Sequence, residues 1–294
     1  MDEIDEILGV NNNKTKENKE QKSNNVNWKS KQDKDRQEAY DTMEKMANEI
    51  KTDGTKFKKY LDIQSRFEKY SVGNCLIVLS NNPNAIQFKD EGSWNEKGIE
   101  LLDNQEPIKI LEPSRSKITN RIYYNPKEVY DISQTNANNE NKKISYDDRE
   151  LLKAFFHNCG ATKKAVDILP NGEKGAEYNK NENIIYVCKG MDVKTIFQVV
   201  SQELANIEMK NEENTEIKDF KSYCISYMLC RKYNIDVSNY NFEELPGEIK
   251  QAKTGREVRG KLEEIRKNYN SIYSRISEYF EISEKEKKNK IQER

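Results

Sequence analysis

Glu203 is the residue whose type and surroundings in the sequence most clearly suggest a catalytic role. It lies in an amphipathic stretch over residues 193–209. The His-Glu-x-x-His pattern holds a zinc ion through two histidines one helical turn apart, and its glutamate acts as a general base. In this chain the two histidine positions are occupied by Gln202 and Asn206. Because neutral amide oxygens are poor zinc ligands, the sequence predicts a helix of this outline with no bound metal and no catalytic residue.

Other residues that commonly bind metals or act as nucleophiles are sparse. His157 is the one histidine among 294 residues. The five cysteines are scattered and form no Cys-x-x-Cys pair (Cys75, Cys159, Cys188, Cys224 and Cys230). Such cysteines are typical of reduced thiols in the core of a cytoplasmic protein. We therefore expect no metal, no cofactor and a cytoplasmic location, and a peptidase with Glu208 or His157 as substitute ligand is the weaker alternative.

A second candidate site is a basic segment between Pro107 and Lys127. It contains five cations against a single carboxylate, Glu112 (Lys109, Arg115, Lys117, Arg121 and Lys127). Tyr123 and Tyr124 lie in the same segment. Proteins hold single strands with cations along the phosphates and aromatic rings stacked on the bases. The segment therefore predicts modest, non-specific and salt-dependent binding of single-stranded nucleic acid.

Further candidate contacts lie upstream of this segment. Arg66 supplies a guanidinium, Tyr70 a ring and Asn74 an amide, and Trp94 is a further stacking platform. The alternative for Phe67 and Trp94 is a place in the hydrophobic core. The alternative for Tyr70 and Asn74 is that they tie helices together, and a basic hairpin can be a solvated edge that discourages strand pairing.

The elements that position these residues follow from hydrophobic periodicity. The pattern predicts an α+β protein with two domains. Residues 37–136 predict helices followed by strands, and residues 137–246 predict a helix-rich unit with a small β-hairpin. Residues 247–294 predict a long helix with a charged tail, and residues 1–36 predict a disordered tail. A polar linker over residues 136–143 separates the two domains.

The composition excludes several classes of function. The formal net charge is −1, so the charge of the whole chain indicates no polyanion partner. No apolar run approaches the roughly 20 residues that a membrane span requires. The first ten residues are acidic and lack a basic region, which argues against a signal peptide. We therefore expect no membrane association.

Two groups of motifs resemble a known family. QSRFEKYSVGN at residues 64–74 precedes NPNAIQF and Trp94, and KILEP at residues 109–113 precedes VYDISQT at residues 129–135. In this order and spacing they resemble the N-terminal domain of the ArdC-type antirestriction proteins, a group that includes the LtrC-like proteins of conjugative elements. The resemblance implies a single-stranded-DNA-binding module followed by a zincin-like metallopeptidase domain.

The second half resembles that metallopeptidase domain in outline but departs from it at the metal ligands. GAEYNKNENIIYV resembles the family's hairpin, and VVSQELANI resembles its zinc-binding helix. By the resemblance, the ligand positions fall on Gln202, Asn206 and Tyr223, and Glu203 takes the position of the general base. None of the three ligand positions carries a metal-binding side chain, so the resemblance implies a degenerate metal site in a pseudo-metallopeptidase.

These observations support functions of different classes. The first is a non-enzymatic single-stranded-DNA-binding protein that serves a plasmid, conjugative transposon or phage in antirestriction or anti-defence, with the second half as a scaffold. The alternative is a protein-interaction module that grips a host-defence or conjugation protein with the pseudo-peptidase groove and the C-terminal helix. An active metallopeptidase is the third, and without bound zinc it has no mechanism.

Overall fold

Helices and two small sheets alternate along the chain, and the predicted α+β class is confirmed. The structure is a computed structural model that describes residues 13–137 and 146–292. Its first half contains α1 (Asn13–Ile50), α2 (Gly54–Arg66), α3 (Val72–Asn81), β1 (Phe88–Lys89), α4 (Glu91–Asn95), β2 (Ile108–Arg115), β3 (Ile122–Asp131) and a 3₁₀ turn (Ile132–Gln134). Its second half contains α5 (Asp148–Phe156), β4 (Thr162–Val166), β5 (Ala176–Asn179), β6 (Ile184–Cys188), α6 (Val193–Glu208), α7 (Thr215–Lys232), α8 (Gly247–Lys250) and α9 (Gly255–Gln292).

The break between α1 and α2 follows from Asp53 and Gly54. The Asp53 carboxylate accepts a hydrogen bond from Lys56 N and so caps the start of α2. A side chain at position 54 would collide with Phe242, because its Cβ would lie 1.8 Å from the Phe242 carbonyl oxygen. Glycine therefore allows α2 to begin directly against a loop from the second half of the chain.

The strands β2 and β3 form a long antiparallel hairpin, and β1 pairs with the end of β3. The dipeptide Asn125-Pro126 normally argues against a continuous strand, yet β3 runs through it. Pro126 faces Leu111, whose backbone N–H and C=O are both bonded to the Asn74 side chain instead of to β3. No N–H is required from the partner of Leu111, so proline fits without a lost hydrogen bond.

The second sheet has the order β4-β6-β5. Strands β5 and β6 form the predicted hairpin over Ala176–Tyr178 and Ile184–Cys188. Strand β4 was not predicted, and it lies parallel to β6 with Thr162 opposite Ile184. Its five residues, TKKAV, carry too few apolar side chains to give a strand signal.

The predicted disordered tail is corrected over residues 13–36, which are helical. Residues 1–12 lie outside the described residues, as does most of the predicted polar linker. Residues 13–36 contain no glycine or proline, and two contacts hold the end of this stretch to the hairpin. Lys109 Nζ lies 2.7 Å from Asp35 Oδ1, and Arg36 Nε donates to Tyr124 O at 2.8 Å. Composition alone does not reveal such tertiary contacts.

The two predicted domains share one hydrophobic core, so the predicted boundary near residue 136 separates two sheets and not two cores. The predicted C-terminal helix is confirmed as α9, and it bridges both halves. Tyr269 on α9 donates to Ser65 O at 3.1 Å, and Arg266 Nε donates to Tyr70 O at 2.8 Å. All five cysteines are buried free thiols, as predicted. Within the described ranges, no helix has the length and apolar character to cross a bilayer.

Candidate nucleic-acid interface and degenerate metal site

The far half of the β2–β3 hairpin, residues 113–124, projects into solvent and is called the hairpin tip. It carries three cations and no carboxylate (Arg115, Lys117 and Arg121). It also carries four of the large apolar side chains that are exposed in the described residues: Ile118 at 97%, Ile122 at 52%, Tyr123 at 49% and Tyr124 at 46%. Clusters of exposed apolar side chains commonly mark a binding surface.

The turn at the end of the hairpin tip is well ordered by its own hydrogen bonds. Ser116 N donates to Arg121 O at 2.9 Å, and Asn120 N donates to Ser116 O at 3.0 Å. The Ser116 hydroxyl oxygen accepts from Ile118 N and Thr119 N at 3.3 and 3.1 Å. Asn120 has a φ of 55°, a left-handed conformation that asparagine tolerates better than most residues. The side chains of the turn are therefore presented from a defined backbone.

The two other cations predicted for this interface are already paired. Lys109 binds Asp35, and this hydrogen bond raises the pKa of the Lys109 ammonium. Lys127 Nζ lies 3.2 Å from Glu112 and 3.3 Å from Asp90. The uncompensated positive charge of the hairpin is therefore concentrated at its tip and not spread along it.

Trp94 and Asn74 do not belong to this surface, and both predictions are corrected. Trp94 is 1% exposed, and its indole N–H donates to Tyr130 O at 3.1 Å, so neither ring face can meet a base. The Asn74 amide donates to Leu111 O and accepts from Leu111 N, both at 2.9 Å. This buried amide bonds to the edge of β2 as a neighbouring strand would. Its N–H and its oxygen are both bonded to Leu111 and so do not face a nucleic acid.

Arg66 and Tyr70 are half-buried, and both make contacts within the fold. Arg66 Nη2 donates to Pro83 O at 2.9 Å, and burial lowers the pKa of its guanidinium. The Tyr70 ring stacks on Phe67 with centroids 5.4 Å apart, and burial raises the pKa of Tyr70 to about 12. Of the predicted nucleic-acid contacts, only Arg115, Lys117, Arg121 and Tyr123 lie together on the exposed hairpin tip.

The second motif of the resemblance, VYDISQT, has a structural role that the sequence analysis missed. The buried Asp131 carboxylate accepts from Ile86 N at 2.7 Å, Gln87 N at 2.9 Å and Ser133 N at 3.1 Å. Gln134 Oε1 accepts from Asp131 N at 2.8 Å, which completes a capping box. The spacing of aspartate and glutamine in DISQ was the available signal.

The four positions of the degenerate metal site come together at one cavity between α6 and α7. It has a volume of about 410 Å³. Gln202, Glu203, Asn206 and Tyr223 line it, together with polar and aromatic neighbours (Asp219, Phe220, Ser222, Asn241 and Glu244). The spacing Gln-Glu-x-x-Asn places these side chains on one face of α6, as the zinc-binding pattern would.

The Glu203 carboxylate is held in place by two hydrogen bonds from the protein. Its Oε2 atom accepts from Tyr178 N at 2.8 Å and from Asn206 Nδ2 at 3.2 Å. Burial raises the pKa of this carboxyl group. Two buried oxygen atoms of this region, Asn206 Oδ1 and Glu177 Oε2, have no hydrogen-bond partner among the described residues. Asn206 Oδ1 is therefore a buried acceptor at the cavity that a ligand could satisfy.

The donor set of the cavity does not fit zinc. Two amides and a phenol occupy the three ligand positions, and Tyr223 OH already accepts from Asn241 N at 2.7 Å. In residues 13–137 and 146–292, no group of three or more histidine, cysteine, aspartate or glutamate side chains is placed to hold a metal ion. The two substitute ligands considered above point to α9 and not to the cavity. Glu208 accepts a hydrogen bond from Ser271 of α9, and the His157 ring packs on Tyr279 of α9.

Comparisons with known proteins found no matching family model and no matching curated protein. Two crystal structures of the antirestriction ArdC protein from the R388 plasmid resemble this chain, each at 12% identity. The metal-free structure has a TM-score of 0.41 and covers 71% of this chain and 86% of its own. The Mn(II)-bound structure has a TM-score of 0.44 and covers 74% and 97%. These are proteins of the family that the motifs resemble, and at this level of similarity they carry no argument about function.

Proposed function

We propose that this chain binds single-stranded nucleic acid, foremost single-stranded DNA, without catalysing a reaction. The observation that supports this function best is the hairpin tip, where two exposed tyrosine rings lie beside three uncompensated cations. Each base stacked on an aromatic ring contributes about 1–3 kcal/mol. Two rings and three phosphate contacts give modest affinity that depends strongly on salt.

The side-chain chemistry favours unpaired bases over a duplex. A two-stranded ribbon can enter the major groove of DNA, where specificity comes from hydrogen bonds to base edges. The hairpin tip instead exposes Tyr123 and Tyr124, whose rings need the face of an unstacked base. In a duplex those faces are covered by neighbouring base pairs, so the rings gain less from it.

We place this activity in antirestriction or anti-defence on behalf of a mobile genetic element. The support is the pair of motifs QSRFEKYSVGN and VYDISQT, whose polar residues organise the fold that carries the hairpin. The second half serves as a scaffold, since α9 and α7 complete the core under α2 and α3. The ligand positions beside Glu203 carry two amides and a phenol, which are poor zinc ligands, so we propose that the cavity does not cleave peptides.

Titration of a labelled single strand over a salt series tests the proposed function. With about three phosphate contacts, the logarithm of the affinity falls with the logarithm of salt concentration with a slope of about −2. A duplex of the same length binds more weakly. Reversing the tip charges (Arg115→Glu, Lys117→Glu and Arg121→Glu) abolishes the binding, and unchanged binding of this variant contradicts the proposal.

The matched control changes the same net charge on another exposed surface. Lys250, Lys253 and Arg256 lie around the start of α9, far along the chain from the hairpin, and all three are exposed. Their simultaneous replacement by glutamate leaves the titration as in the wild type. Equal losses in both triple variants mean that net charge alone drives binding, which removes the role of the hairpin tip.

A second candidate function is the capture of a protein segment by the cavity. The unpartnered Asn206 Oδ1 atom favours it, because a hydrogen-bond donor from a ligand would satisfy this buried acceptor. A pull-down after nuclease treatment recovers one host-defence or conjugation protein stoichiometrically if this function is correct. Asn206→Arg abolishes that recovery and the tip variant does not, whereas wild-type recovery with Asn206→Arg excludes the cavity.

A further inference from the structure

We infer that the hairpin tip recognises a fork, the boundary at which a duplex opens into two unpaired strands. This inference rests on the proposed function and names the nucleic-acid structure that the same surface fits best. Two observations carry it: an apolar side chain at the apex of an ordered turn, and binding side chains on both faces of the hairpin.

Ile118 is the apex residue, and it is 97% exposed between the cations Lys117 and Arg121. The hydroxyl of Ser116 holds the turn that presents it. Proteins that open or bend a duplex commonly place an apolar side chain against a base step. The last base pair of an opened duplex leaves one apolar face uncovered. An isoleucine presented between two cations can cover this face while the cations approach the phosphates.

The register of the hairpin distributes the other binding side chains over two faces. Arg115 pairs with Ile122, so these two side chains share one face with Tyr124, two residues further on. Tyr123 pairs with Ser114 on the opposite face. Arg121 directly precedes β3, and its carbonyl oxygen accepts from Ser116 N at 2.9 Å, so the alternation of side chains, continued one residue beyond the strand, places Arg121 on the Tyr123 face. Each face therefore offers one arginine and one tyrosine.

A surface for a single continuous strand would need only one of these faces. The repetition of arginine and tyrosine on opposite faces matches the two arms of a fork, one arm on each face. The apex residue then lies at the point where the arms separate.

Fluorescence anisotropy of the full chain with three labelled oligonucleotides tests the inference. The probes are a fork with two unpaired arms, one arm alone and the fully paired duplex, all at one low salt concentration. The wild type binds the fork about tenfold more tightly than the single arm, since burial of Ile118 and contacts to a second arm add to the binding free energy. The fully paired duplex binds most weakly.

The Ile118→Ser variant separates this inference from the proposed function. It binds the single arm as the wild type does and loses most of the preference for the fork. Ile168→Ser is the matched control, because Ile168 is another exposed isoleucine, at 55%, and it leaves the preference intact. Photocrosslinking from one arm reaches Tyr123 and from the other arm reaches Tyr124.

Two outcomes overturn the inference while the proposed function stands. One is equal affinity for the fork and the single arm. The other is crosslinking of both arms to the same tyrosine. If Ile118 instead inserts into a membrane, the wild type binds anionic vesicles and the Ile118→Ser variant does not. The wild type then shows no preference for the fork. Absence of single-strand binding by the wild type rejects the proposed function itself.

Discussion

Asn74 shows how a residue that looks like a ligand contact can be a structural one. Its amide joins α3 to the edge of β2 through both polar groups of Leu111. Asn74→Ala leaves a buried N–H and a buried C=O without partners, and each such group costs about 1–3 kcal/mol. We therefore expect the free energy of unfolding to fall by about 2–4 kcal/mol, as measured by urea denaturation.

The control is Asn81→Ala, which removes a hydrogen bond to Ile77 O from an exposed position on the same helix. Its effect stays within about 0.5–1 kcal/mol. If Asn74→Ala keeps the wild-type stability and loses nucleic-acid binding, Asn74 is a ligand contact after all and the structural assignment is wrong.

Glu203 makes a prediction about pH. Its pKa is raised by burial, so the folded state holds this proton more tightly than the unfolded state does. Its contribution to stability is therefore largest below the ordinary pKa of glutamate and declines as the pH rises through the raised pKa. Glu203→Gln removes this decline and unfolds at a higher urea concentration than the wild type at pH 7. The prediction is contradicted if Glu203→Gln is less stable than the wild type at pH 7 and the difference in free energy of unfolding is the same at pH 4.

The sequence placed Gln202, Glu203 and Asn206 on one helix because their spacing fixes one face of it, and all three line the same cavity. It did not reveal that Trp94 is buried, since an aromatic residue after a polar segment suits either a core or a surface. Deciding that question required the backbone of Tyr130, which accepts the indole hydrogen bond from 36 residues away. Contacts of this range leave no local pattern.

At the scale of elements, α1 differs most from the structure that its composition predicts. Its residues 29–36 are polar, yet Asp35 and Arg36 hold this part of the helix to the β2–β3 hairpin. Hydrogen exchange of the amides in residues 31–36 is therefore slower than in an unstructured peptide, because each amide bonds to the preceding turn. Asp35→Ala together with Arg36→Ala accelerates this exchange. Exchange at the unstructured rate in the wild type shows that the predicted tail was correct.

The hairpin was predictable in part. The sequence indicated strands in this half of the chain and a basic segment between Pro107 and Lys127, but it did not indicate that Arg115 pairs with Ile122. The role of Pro126 could not be inferred either, because proline in a strand normally argues against a ladder. It is accommodated because Leu111, the residue opposite it, directs its N–H and C=O to the Asn74 side chain and not to β3.

At the scale of the whole molecule, we expect the two halves to unfold together. The largest buried cluster contains residues from α2, α3, α6, α7 and α9. Trp94 lies in the first half, and the far-UV circular dichroism signal reports helices in both. Fluorescence and circular dichroism therefore give one coincident urea transition. Tyr269→Ala, which removes a fully buried ring on α9, shifts both signals to lower urea by the same amount. Two separated transitions contradict a shared core.

The division into two domains was inferred from a polar linker and from a resemblance, and neither reports packing between segments that are distant in sequence. Arg266 and Tyr269 of α9 reach Tyr70 and Ser65 across about 200 residues of chain. The amphipathic pattern of α9 predicted a buried face without naming its partner. In the structure, the buried face of α9 packs against elements of both halves.

Ultraviolet crosslinking of the full chain to a single-stranded oligonucleotide, followed by peptide mapping, tests the central claim most directly. A base stacked on Tyr123 or Tyr124 is held against the ring, so the account predicts crosslinks within residues 113–124 and their loss in the charge-reversed tip variant. Crosslinks confined to peptides that line the α6–α7 cavity, with none in the hairpin tip, would show that nucleic acid binds elsewhere and would contradict the account.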